Sequence, residues 1–79
     1  MKIQVLLFAQ AREIVGESQI ESTVTDGTDV AGLLAQLNSR FPALSGLEKK
    51  VAVNSEYSET NQILHAGDEV AIIPPISGG

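Results

Sequence analysis

Thr28-Asp29-Val30-Ala31-Gly32-Leu33-Leu34-Ala35-Gln36-Leu37-Asn38-Ser39-Arg40-Phe41-Pro42 is the stretch from which the fold is read. Val30, Leu33, Leu34, Leu37 and Phe41 recur at helical spacing, which gathers the apolar side chains on one face. Thr28 or Asp29 stands where a side-chain oxygen caps the first turn. Asp26-Gly27 before them is a turn signal, and Pro42 ends the pattern. A helix with one apolar stripe must bury it, and the segments on either side read as strands. The helix is therefore expected to lie across a sheet.

Working towards the N-terminus, Gln19 to Val24 alternates, with Ile20 and Val24 inward and Gln19, Glu21 and Thr23 outward. Ala9 to Val15 holds helix formers and stops at Gly16, which predicts a short helix. Lys2 to Phe8 alternates around Ile3, Val5 and Leu7, while Leu6 and Phe8 carry apolar character onto the other face. So short a return suits an antiparallel pair. Towards the C-terminus, Lys50 to Asn54 reads as a short strand with Val51 and Val53 on one face. Ser55 to Gln62 reads as a polar loop, Ile63-Leu64 as an apolar anchor and Ala66-Gly67-Asp68 as a turn. Glu69 to Ile73 is the last strand, with Val70 and Ile72 inward. The order is strand, helical turn, strand, long helix, strand, short strand or loop, strand. This is an α+β chain with its helices on one face of a mixed sheet. The ubiquitin-like β-grasp satisfies it, with the first and last strands parallel at the centre. Residues 1–73 form the domain and residues 74–79 an extended C-terminal tail.

Composition narrows the function. Seventy-nine residues make one small domain. The chain is 43% hydrophobic but only 4% aromatic, so its core must be aliphatic. It has no cysteine, which excludes disulfides and thiolate metal sites. Five basic residues, Lys2, Arg12, Arg40, Lys49 and Lys50, are scattered in a chain of net charge −5, which argues against nucleic acid. An acidic surface favours a basic partner or simply keeps the protein dissolved. No apolar run approaches the roughly 18 residues of a membrane span, and Met1-Lys2 leads straight into a strand-like run without a signal-peptide pattern. The expectation is a soluble cytoplasmic protein that binds neither membrane nor nucleic acid.

Few side chains offer catalysis. His65 is the single histidine, beside a turn and with no nucleophile in sequence reach, so a structural or solvated role is expected. Glu13, Glu17 and Glu21 read as a solvated surface. Gly67-Asp68-Glu69 is a turn entering a strand, and Gly16 and Gly27 form no phosphate-cradling loop. No metal site and no bound cofactor are expected.

What remains is the end of the chain. Pro74-Pro75-Ile76-Ser77-Gly78-Gly79 follows the last strand through a stiff proline pair to a terminus without side chains. Glycine lets backbone approach another surface closely and adopt any φ. Extended, these six residues reach about 20 Å, enough to thread a narrow channel in a second protein. Pro74, Pro75, Ile76, Ser77 and Gly78 are thus the threading segment, and the carboxylate of Gly79 is the working group. An α-carboxylate is ionised at neutral pH and resists attack. It becomes an acyl donor only after conversion to a mixed anhydride, and with no P-loop here a partner must bind the nucleotide.

The run GDEVAIIPPISGG, together with the opening VLLFAQAREIVG, strongly resembles the small sulfur-carrier subunits of molybdopterin synthase. The resemblance covers essentially the whole length, and Phe8-Ala9-Gln10-Ala11-Arg12-Glu13 adds support independent of the tail. Ile72-Ile73 stands where relatives often carry aromatics, and Ile76-Ser77 is a mild tail variant. The resemblance implies that an adenylating enzyme of the ubiquitin-activating type, using ATP and magnesium, adenylates Gly79. Sulfur from a persulfide donor then yields a Gly79 thiocarboxylate. In the large subunit the tail would deliver that sulfur to cyclic pyranopterin monophosphate, twice per dithiolene, with the catalytic side chains on the large subunit. Phe8 and Ile73 alternate away from the inward positions, so both fall on the sheet face opposite the long helix, and Tyr57 is the aromatic that can join them. These three are the expected partner interface. Rival readings are a thiamine-pathway sulfur carrier with another acceptor, a protein modifier joined to lysines through Gly79, and a plain interaction domain. The Phe-Ala-x-x-Arg-Glu opening and the Ile-Pro-Pro approach favour the molybdopterin type over the thiamine type.

Overall fold

The computed structural model describes residues 1–75. Strand β1 (Lys2–Leu7) leads into helix α1 (Ala9–Val15) and returns as β2 (Gln19–Thr23). Helix α2 (Val30–Arg40) and a 3₁₀ turn (Pro42–Gly46) precede β3 (Lys50–Val53), β4 (Glu56–Tyr57) and β5 (Glu69–Ile73). The sheet order is β2-β1-β5-β3-β4. β1 and β5 run parallel, and every other neighbouring pair is antiparallel. The arrangement is a ubiquitin-like β-grasp, with the first and last strands side by side as the element order requires.

The inner face carries the core. Ile3, Val5, Leu7, Ile20, Val51, Val53, Val70 and Ile72 are buried together with Val30, Leu33 and Leu37 of α2. Every strand position assigned inward from alternation is buried. Leu34 and Phe41 are only partly buried, at the rim of the helix's apolar stripe. Asp29 supplies the cap of α2, its Oδ1 accepting the Gly32 N–H at 2.8 Å. Thr28, the other capping candidate, donates its hydroxyl to the Thr25 carbonyl instead. α1 ends at Gly16 in the left-handed region (φ 87°), whose N–H returns to the Arg12 carbonyl.

Two segments differ from the sequence reading. Pro42 does not simply stop the helix: it opens the 3₁₀ turn, which folds Leu44 fully into the core. Proline at the first position of a helical turn costs nothing, because its missing N–H would have been unpaired. Residues 55–62 are not all loop. Asn54 and Ser55 both have positive φ (50° and 72°), the pattern of a tight hairpin turn, and Glu56–Tyr57 pairs back on β3. Two residues are too few for alternation to announce a strand.

Among the described residues, Ser22 is the polar exception on the inner face, buried between Ile20 and Val24 with its hydroxyl unpaired. No described helix is long and apolar enough to cross a membrane.

Candidate functional site

The site is built on the outer face of the sheet, where β1, β5, β3 and β4 line up by register. Leu6 of β1 lies beside Ala71 of β5, Ala71 opposes Ala52 of β3, and Ala52 opposes Tyr57 of β4. Two alanines between larger side chains leave a shallow apolar depression of about 300 Å³, completed by Phe8, Ile73, Ser55 and Glu69. Phe8 and Tyr57 are exposed large hydrophobics, 47% and 72% accessible, and Ile73 is half-buried. Phe8, Ile73 and Tyr57 thus share one surface, opposite the helix, as alternation required of the first two. Leu6, placed on this face by its alternation, belongs to the same surface, as do Ala52 and Ala71, which the sequence reading did not single out. Their alternation was legible, but only the strand register puts them in one row.

Backbone geometry fixes the direction of Phe8. Its N–H continues the β1–β5 ladder by donating to the Ile72 carbonyl at 3.3 Å, while its own carbonyl accepts the Ala11 N–H that begins α1. The phenyl ring therefore stands at the junction of strand and helix, level with the end of β5. Tyr57 is not a loop residue but part of an edge strand, and Lys50 Nζ sits 5.6 Å from its ring centroid.

A second depression of about 250 Å³ opens where the chain leaves the sheet, lined by Lys50, Tyr57, Ile73, Pro74 and Pro75. It shares Tyr57 and Ile73 with the first, so one continuous apolar surface runs to the root of the tail. Pro74, assigned to the tail by sequence, is buried, and Pro75 is exposed. Ile76, Ser77, Gly78 and Gly79, the rest of the threading segment and the proposed reactive terminus, lie outside the described residues.

Two other chemistry-bearing side chains, His65 and Asp68, are engaged in the turn before β5. His65 is exposed at the turn before β5, with Nδ1 3.9 Å from Asp68 Oδ2. Asp68 is the organiser of that turn: its Oδ2 accepts the His65 backbone N–H at 2.8 Å and its Oδ1 accepts Asn54 Nδ2 at 3.0 Å. Burial pushes the Asp68 carboxyl up, but these two hydrogen bonds and the neighbouring imidazole outweigh it and hold the group below its ordinary value. Among the described residues no three His, Asp or Glu side chains cluster as a metal site.

The ThiS family model matches residues 5–79 of the chain. A molybdopterin synthase sulfur carrier subunit of Chlamydomonas reinhardtii is 43% identical, with 100% of both chains covered. The subunit of the same name from Arabidopsis thaliana is 41% identical over 100% of this chain and 84% of the relative. Among solved structures, SAMP1 from Haloferax volcanii superposes with a TM-score of 0.90 at 28% identity, covering 100% of each chain. Matched over nearly its whole length by the family model and by relatives of similar size, the chain belongs to the ThiS family.

Proposed function

We propose that this protein is the sulfur-carrier subunit of a molybdopterin synthase and that the carboxylate of Gly79 is the group it loads. The observation that carries this reading is the end-to-end match to sulfur carrier subunits at 43% identity. The chemistry agrees with it. A chain without cysteine has no side-chain sulfur nucleophile, and its diglycine terminus follows a strand at the edge of an exposed apolar face.

In the proposed cycle the Gly79 carboxylate attacks the α-phosphorus of ATP on an activating partner, which also holds magnesium, and pyrophosphate leaves. The terminal sulfur of a persulfide donor attacks the acyl carbon and AMP leaves, giving an acyl disulfide. A thiol then cleaves that S–S bond, leaving a thiocarboxylate on Gly79 and a disulfide on the donor side. The relatives are named as one subunit of a synthase, which implies a large subunit that receives the tail and presents the pterin precursor. We assign the outer face, with Phe8, Tyr57 and Ile73, to that subunit, and place the cycle in the cytoplasm where ATP is available. In this reading β5 leads the chain into the proline pair at the tail root, and the apolar face seats the body.

Incubation with ATP, magnesium, the activating enzyme and a persulfide donor tests the proposal by intact mass. One oxygen should be exchanged for one sulfur, mapped to the C-terminal peptide. Modification of an internal residue would overturn it.

The likeness to a structure named small archaeal modifier protein 1 favours a second reading, in which the activated Gly79 is passed to lysine amines. The two share the activation step and part at the acceptor. Covalent adducts of this chain on lysines in cells would support the modifier, and sulfur incorporated into a pterin would support the carrier.

A further inference from the structure

Apart from Ser55, the depression on the outer face is lined by apolar side chains and one charged residue, Glu69. Its position is set by the backbone: the Glu69 N–H donates to Asn54 Oδ1 at 3.0 Å and its carbonyl accepts the Asn54 N–H at 2.7 Å. Its carboxylate, in contrast, has no hydrogen bond or ion pair among the described residues. Two neighbouring amide donors are engaged elsewhere. Gln4, its register partner on β1, donates Nε2 to Glu21 at 3.1 Å and accepts Gln19 Nε2 at 2.8 Å. Asn54 gives its Nδ2 to Asp68.

Three of the chain's five basic side chains have other partners. Lys2 lies 3.8 Å from Glu21, and Lys49 Nζ donates to the Leu44 and Leu47 carbonyls. Lys50 is paired with Ile73, four residues along β5 from Glu69, or about 13 Å at strand spacing, and its ammonium stands over Tyr57. A carboxylate on an exposed face is content in water. Once a partner covers the apolar residues around it, that carboxylate loses water and must be paired, or the complex carries an uncompensated charge.

We propose that Glu69 is the charged recognition point of this face, accepting a lysine or arginine side chain from the large subunit that docks on Leu6, Phe8, Tyr57 and Ile73. The inference rests on the sulfur-carrier reading, which supplies the partner. It adds what the apolar face alone cannot: a charge that selects a partner with a basic residue inside its apolar footprint and suppresses partners without one.

The test is binding of the full chain to the large subunit of its own synthase by titration calorimetry, at low and at raised ionic strength. E69Q keeps both backbone hydrogen bonds to Asn54, so its melting temperature should match the unmodified chain. Its affinity should fall about tenfold at low salt, and the difference should narrow as salt rises. E69K should bind more weakly still, and replacing the facing basic residue of the large subunit with glutamate should restore its affinity. If E69Q binds as the unmodified chain does, with the same salt dependence, the pairing is overturned while the carrier reading stands. If the unmodified chain itself fails to bind the large subunit, the carrier reading falls and this inference with it.

Discussion

At the scale of the residue, Asp68 shows how one side chain joins two segments distant in sequence. It ties the turn at His65 to the β3–β4 hairpin through Asn54, which in turn pairs with the backbone of Glu69. The sign of its pH dependence follows from its lowered pKa. The folded state binds that proton less readily than the unfolded chain, so the stabilisation is fully present above the ordinary value of 3.8 and is lost as pH falls through the folded value. Asp68→Ala should therefore cost about 1.5–3 kcal/mol at neutral pH, the scale of hydrogen bonds to a charged acceptor. In urea melts between neutral pH and pH near 3, the gap between variant and native protein should narrow only at the acid end. A gap that stays constant throughout would mean the carboxylate charge contributes nothing.

At the scale of the element, β1 and β5 each serve two surfaces, because side chains alternate across a strand. Val5, Leu7, Val70 and Ile72 hold the core, while Leu6, Phe8, Ala71 and Ile73 face outward. Substitutions on the two faces should thus separate stability from partner binding. Leu33→Ala, on the helix packed against the inner face, removes a fully buried side chain and should cost about 2–5 kcal/mol. The Phe8→Ala, Ile73→Ala double variant removes exposed or half-buried groups and should lose less stability than Leu33→Ala. Its affinity for the large subunit should drop at least tenfold, since buried apolar anchors at interfaces typically cost about 2 kcal/mol or more when truncated. Undiminished affinity by calorimetry would show that the docking surface lies elsewhere.

At the scale of the whole molecule, the proposed function makes the sheet and α2 the mount and gives the chemistry to the last residue. Gly78→Val, or one residue added after Gly79, should abolish sulfur transfer while leaving the melting temperature within the error of measurement. A branched Cβ both widens the segment and restricts its backbone, which a narrow channel will not accept. Normal transfer by either variant would mean the tail is not threaded.

Much of the architecture was legible in the chain itself. Alternation in residues 2–8, 19–24, 50–54 and 69–73 assigned the inward residues correctly, because a period of two leaves only one face for the apolar set. The 3.6-residue period from Val30 to Phe41 made the helix, and the GDEVAIIPPISGG run pointed to the family. Three things depended on tertiary structure. Leu44 entered the core through a 3₁₀ turn that local propensity does not announce. Tyr57 became a strand residue because β3 was there to pair with it. Leu6, Ala71, Ala52 and Tyr57 became neighbours only through strand register, a long-range pairing across β1, β5, β3 and β4. Periodicity is a property of one segment and survives in sequence, whereas a surface assembled from four strands exists only once they are aligned.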